Sequence, residues 1–157
     1  MNEQTFFITA NAYMKRNILQ SARMAELLID VLYNYRSRGK FLLHDFVVMP
    51  DHLHAIISPS VTIKKAGQFI KGGFSFRAKK ELGYLHNIWQ PGFHDHRIRD
   101  FGEYCVYKKY VAFNPVKRGL VFAPEQFACS SASGKFELDS LPQGLKPLSV
   151  GATNTPR

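Results

Sequence analysis

Hydrophobic positions change period along the chain, and the changes mark its elements. "TFFITANAY" (5–13) mixes β-branched and aromatic residues as a strand does. Ser21 then stands as an N-cap before "ARMAELLIDVLYNYRSRG", where Ala25, Leu28, Ile29 and Leu32 recur at helical spacing up to a stop at Gly39. "KFLLHDFVVMP" returns to strand, Pro50 and Asp51 interrupt it as a turn, and "HLHAIIS" resumes it. A basic helix is predicted from Val61 to Leu82, loosened around Gly72 and Gly73, with a short strand in "GFHDHRIR" after it. Asp100 and Glu103 have the spacing of a capping box ahead of a further helix, "FGEYCVYKKYVAFN".

This order, βαββαβ followed by a helix, predicts an α+β fold of the ferredoxin-like kind: an antiparallel sheet with helices on one face, plus a C-terminal helix. From about Cys129 the periodicity stops, and "SSASGKFELDSLPQGLKPLSVGATNTPR" is rich in Ser, Gly and Pro. The expectation is one folded domain over residues 1–128 and a flexible tail over 129–157, with a short docked piece at its start.

Composition agrees with a single core: 157 residues, 45% of them hydrophobic, suit a domain that hides roughly two-thirds of its unfolded surface. No charged and then apolar leader follows Met1, and no apolar run approaches the roughly 18 residues of a membrane span, so a cytoplasmic protein is expected. Cys105 and Cys129 are too few for a disulfide framework and lack zinc-site spacing. Charge changes the picture more. Lys and Arg number 21 against 12 Asp and Glu, a net +9, which suits a polyanion such as nucleic acid, although an anionic membrane surface would attract it too.

The candidate chemistry sits where the pattern is broken. His52 and His54 are two apart on a strand, so both imidazoles face one way while Leu53 faces the other. Two aligned imidazoles are half of a metal site, and a hydrogen-bonded pair at a strand start fits the same spacing. His94 and His96 repeat the alternation around Asp95, which implies an edge strand; His96 is kept as a candidate neighbour of the site. On the last helix Val106, Tyr107, Tyr110, Phe113 and Asn114 fall on one face, expected to pack on the sheet, with Lys108 and Lys109 pointing away. Among Tyr104, Tyr107 and Tyr110, only Tyr110 has an oxygen-bearing side chain one turn later, at Asn114. Taken singly, these residues fit core packing for the tyrosines and an N-cap role for Asn114 ahead of "PVKR" better. Taken together, two imidazoles, an amide oxygen and a phenol would make a cation site beside a nucleophile. A phenol with a pKa of about 10 needs such help, and phosphoryl transfer supplies the reason for the cation.

With "VVMPDHLHAII", "FIKGGFSFRA", "IWQPGFHDHRIRD" and "YVAFNPVKRGLV" in that order, residues 5–131 resemble the single-tyrosine HUH transposases, specifically the REP-associated tyrosine transposases. The resemblance implies that His52 and His54 bind Mg²⁺ or Mn²⁺ with Asn114 as third ligand, and that Tyr110 is the nucleophile. It further implies a nick in single-stranded DNA near palindromic hairpins, leaving a 5′-phosphotyrosine and a free 3′-OH, without ATP. It is compatible with a monomer or a homodimer associated with the nucleoid. Phe127 departs from the Trp that relatives tend to carry there. Candidate phosphate contacts are Lys64, Lys65, Lys71, Arg77, Lys79 and Lys80 on the second helix, with Arg97, Arg99, Lys117 and Arg118. The rivals are a catalytically silent domesticated protein that binds hairpin DNA or RNA, and a phosphodiesterase whose cation activates water. Asp51 is expected only to shape the turn after Pro50 or to cap a neighbouring amide.

Overall fold

In the computed structural model, which describes residues 3–147, the elements are β1 (Thr5–Asn11), α1 (Ala22–Ser37), β2 (Phe41–Met49), β3 (His52–Pro59), α2 (Ile63–Leu82), β4 (His94–Ile98) and α3 (Phe101–Lys117). All strand pairs are antiparallel and the sheet order is β2-β3-β1-β4, which is the ferredoxin-like arrangement expected from βαββαβ. Polar caps start the helices as their sequences predict. Ser21 accepts from Met24 N at 3.2 Å, and Asp100 accepts from Glu103 N at 2.7 Å.

Alternation along each strand divides the core in two. Phe6 and Ile8 of β1 and Leu53, Ala55 and Ile57 of β3 pack with α1 and α2 on one face. Val47, Met49 and Ile56 pack on the other with Ile98 and with Tyr104 and Val111 of α3. His52 and His54 share the parity of Ile56, so they lie on the α3 face.

Three expectations need correction. Gly72 and Gly73 do not loosen α2, which runs unbroken from Ile63 to Leu82. A Cβ on Gly73 would stand 2.8 Å from Tyr35 Cε2, so this glycine serves close helix packing rather than a break. Next, α3 does not end at Asn114 but continues through Pro115 to Lys117, so Asn114 is inside a helix and not the N-cap of a new one. The face it presents also differs: Tyr104, Val111 and Asn114 are buried while Phe113 is 45% exposed.

The third concerns residues 129–147, expected to be flexible beyond a short docked start, which run along the open edge of β2 as far as Lys146. Val48 N donates to Cys129 O at 2.9 Å, Ser131 Oγ bridges the N–H and C=O of Phe46, and Leu43 and Asp139 exchange bonds at 2.7 and 2.9 Å. Arg36 clamps Asp139 at 2.9 Å, Phe136 packs on Phe46, and Lys146 bridges to Asp100 beside α3. The segment lacks periodicity because it satisfies a sheet edge with main-chain bonds and needs only a few anchors. The rest of the expected tail, 148–157, lies outside the described residues.

Polar groups fasten α3 to the sheet beside its apolar contacts. Tyr104 Oη donates to Asp45 Oδ2 at 2.7 Å and Lys108 Nζ to Asp45 Oδ1 at 2.7 Å, with Tyr104 only 2% exposed. Replacing Asp45 with Ala strands a buried hydroxyl and is expected to cost about 2 kcal/mol of stability. Lys108→Ala, at a half-exposed site, should cost under about 1 kcal/mol. Urea unfolding of both variants checks the order. Among the described residues no helix is long and apolar enough to cross a membrane.

Candidate active site

Each histidine of β3 is oriented by a partner on its Nδ1. His52 Nδ1 lies 2.7 Å from Asp51 Oδ1; a carboxylate only accepts, so Nδ1 carries the proton and Nε2 the lone pair. Antiparallel register sets Thr9 opposite His54, and Thr9 Oγ1 lies 2.8 Å from His54 Nδ1, where the same tautomer fits. Burial depresses His54 to about 3, and the nearby His52 adds to the effect. For His52, burial outweighs the raising effect of the Asp51 hydrogen bond, and its pKa also lies below the ordinary value. Burial pushes the Asp51 carboxyl up, but the bond to His52 and the charges of Arg118 and Lys15 together hold it below the usual carboxylate value. The contact is therefore a carboxylate holding a neutral imidazole rather than an ion pair. Asp51, expected to be a turn residue only, orients one of the two imidazoles.

Above this pair α3 presents its tyrosines, and their surroundings distinguish them. Tyr104 is buried and bound to Asp45, and burial with that carboxylate pushes its pKa well above 10. Tyr107 stacks on Phe7 at 4.6 Å and on His96 at 5.2 Å. Tyr110 is 43% exposed and stands edge-on to His54, with ring centroids 5.3 Å apart. Phe7 touches His54, Tyr107 and Tyr110 and so spaces the helix from the strand.

One turn beyond Tyr110, Asn114 is buried at 7% exposure. Among the described residues two buried side-chain atoms have no hydrogen-bond partner, and they are Asn114 Oδ1 and His52 Nε2. Unpaired buried acceptors are rare and costly. Here both belong to residues expected to hold a cation, and a lone pair on each is what a cation requires. Among the described residues no three His, Cys, Asp or Glu side chains converge, so any third protein donor at the imidazoles has to be of another kind, such as this amide. Two imidazole nitrogens and one amide oxygen fit a divalent cation that keeps open positions for oxygen ligands.

His96 does not join the histidine pair. β1 separates its strand from β3, and its Nε2 lies 3.2 Å from Glu103 Oε1, beside the start of α3. The basic residues divide between the two faces. Those on α2 ride on the helix covering the opposite side of the sheet: Arg77 is bound to Asp30 and Glu81, and Lys71 to the carbonyls of Gln90 and Gly92. Lys65 lies over Phe69 and Lys80 over Phe76, and neither these nor Lys64 and Lys79 reach the histidine side. Arg97 pairs in register with Phe6, which again faces α2. Arg99 precedes α3, where its N–H donates to Glu103. Lys117 and Arg118 end α3, and Arg118 Nη1 comes within 3.4 Å of Asp51. Lys15, which sequence reasoning missed, donates to Asn11 Oδ1 at 3.0 Å, and Asn11 is the register partner of His52. Its position follows from backbone turns that no spacing rule reveals.

Comparison with known proteins gives consistent results. The family described as Transposase IS200 like matches residues 5–114. A REP-associated tyrosine transposase of Escherichia coli K12 is 32% identical over 123 residues, covering 74% of this chain and 69% of its own. A solved REP-associated tyrosine transposase bound to a REP hairpin superposes with a TM-score of 0.69 at 25% identity, over 93% of this chain and 90% of its own.

Proposed function

The chain belongs to the IS200-like transposase family, and from that premise we propose that it nicks and rejoins single-stranded DNA beside palindromic hairpins through a covalent bond to Tyr110. The observation that carries the reading is the meeting of an exposed Tyr110 with His54 at 5.3 Å, with His52 4.4 Å from His54 and Asn114 one turn along α3, and with His52 Nε2 and Asn114 Oδ1 buried and unpartnered. The hairpin in the solved relative and the net charge of +9 support the choice of substrate.

Each residue then has a task. His52, His54 and Asn114 would hold a divalent cation, Mg²⁺ or Mn²⁺, which supplies neutralisation of charge on the non-bridging oxygens of the attacked phosphate. Asp51 and Thr9 fix the imidazoles so that their lone pairs point outward. Asp45 anchors α3 and Phe7 spaces it, which keeps Tyr110 at a set distance from the strand. As the Tyr110 oxygen bonds to phosphorus its proton passes to water, and the bond from phosphorus to the 3′-oxygen breaks. That oxygen takes up a proton and leaves as a 3′-OH. Rejoining is the same exchange reversed, and the phosphotyrosine conserves the bond energy, so no nucleotide triphosphate is consumed.

A denaturing gel tests the reading, with protein mixed with end-labelled single-stranded hairpin DNA in Mn²⁺ or in EDTA. A protease-sensitive shifted band that needs Mn²⁺ is the expected result. Cleaved DNA without that band would replace tyrosine with water as nucleophile. Intact DNA that is nevertheless bound would leave a hairpin-binding protein.

A further inference from the structure

The turn between β1 and α1 holds two consecutive non-glycine residues in the left-handed region, Met14 at φ 55° and Lys15 at φ 54°. Side chains rarely occupy that region, and they persist there only when neighbouring bonds impose it. Those bonds are present. Ala12 N donates to Asp51 O at 2.9 Å, Tyr13 N to Ile88 O at 2.7 Å, Met14 N to Gln90 Oε1 at 3.1 Å and Lys15 N to Ala12 O at 3.0 Å. Their effect is to turn Lys15 back over the end of β1, where Nζ donates to Asn11 Oδ1 at 3.0 Å.

Asn11 is the register partner of His52 and lies on the same strand face as Phe7 and Thr9. The ammonium therefore stands at the His52 end of the site. An amide oxygen leaves that charge uncompensated, and the acid beside His52, Asp51, is committed to His52 at 2.7 Å and Arg118 at 3.4 Å. An ammonium has three donors, of which one is used here. A strained turn thus holds a cation beside residues already suited to bind one, an arrangement unfavourable unless an anion lies between them.

We propose that Lys15 is a phosphate-contacting residue of this site, taking a backbone phosphate of the single strand next to the phosphate that Tyr110 attacks. This rests on the single-strand reading above. One such contact contributes about 0.7 to the log-log slope of affinity against salt, equivalent to about fourfold in affinity at physiological salt.

The test is a titration of fluorescent hairpin DNA with an unpaired extension, in EDTA so that nothing is cut, over a series of salt concentrations. Lys15→Gln should bind about fourfold more weakly, with the slope reduced by about 0.7. Lys15→Arg should restore both. Arg23→Gln, the same loss of charge on the exposed start of α1, should change neither. A merely structural Lys15 would lower affinity without changing the slope, and that result overturns the assignment, as would an equal effect of Arg23→Gln. If Lys15→Gln binds as the wild type does while wild type forms the covalent band, only the Lys15 assignment falls. Absence of any wild-type binding would overturn both readings.

Discussion

Tyr110→Phe should abolish the covalent DNA adduct, lowering strand cleavage by a factor on the order of 10³ or more, while the protein folds and binds hairpin DNA as before. The size of the effect follows from the lack of a substitute on the same face. Tyr104 is bound to Asp45 and 2% exposed, and burial with that carboxylate raises its pKa further, so it is the weakest nucleophile of the three. Tyr107 stacks against Phe7 and His96, on the β4 side of the helix. Tyr110 alone among them stands beside His54, and among the described residues its hydroxyl makes no hydrogen bond. Removing one oxygen from a half-exposed ring should change stability by less than about 0.5 kcal/mol, which separates loss of chemistry from loss of fold. Tyr104→Phe supplies the converse case, losing stability while each folded molecule still forms adduct. Denaturing gels read the adduct and urea unfolding reads the fold. A Tyr110→Phe protein that still nicks DNA at the wild-type rate would transfer the attack to water.

How much of this was legible before the structure depends on the range of the interaction. The alternation that faces His52 and His54 together, and the single turn that links Tyr110 to Asn114, are local periodicities, and the sequence carries them in full. The N-cap alternative for Asn114 was equally local, and what decides it is that α3 continues through Pro115. Partners set by strand register were not legible. Nothing in "TFFITANAY" says that Thr9 will meet His54, because that depends on how β1 aligns with β3. The role of Asp51 was obscured by Pro50, since Pro-Asp reads as a turn whether or not the carboxylate turns inward. Nor does charge reveal which face it occupies. The lysines of α2 looked like a phosphate-binding group, yet the helix covers the side away from the histidines. The extent of the edge-covering segment after Cys129 was not legible for a related reason: its anchors, Phe136 and Asp139, are too sparse to make a period.

Removing one imidazole should be less damaging than removing the tyrosine, and should act through a different quantity. His52→Ala is expected to weaken Mn²⁺ binding at least tenfold and to slow adduct formation on the order of 10²-fold, with hairpin affinity in EDTA within a few-fold of wild type. The order of effects follows from the geometry. His52 supplies an outward Nε2 that no other atom of the described residues satisfies, so its loss removes a donor outright. Asp51→Asn keeps that donor but replaces the carboxylate that fixes its tautomer at 2.7 Å, and should cost an intermediate amount, about 10-fold. Burial keeps both imidazoles neutral at pH 7, His54 being depressed to about 3, so neither has to shed a proton before it can bind. The loss in His52→Ala should therefore be largely recovered at high Mn²⁺, whereas no metal concentration should rescue Tyr110→Phe. Calorimetric titration with Mn²⁺ and adduct rates across a metal series measure both. Adduct formation by His52→Ala at the wild-type rate and the wild-type Mn²⁺ midpoint would remove His52 from the cation site and leave Asp51 holding a histidine with no part in the chemistry.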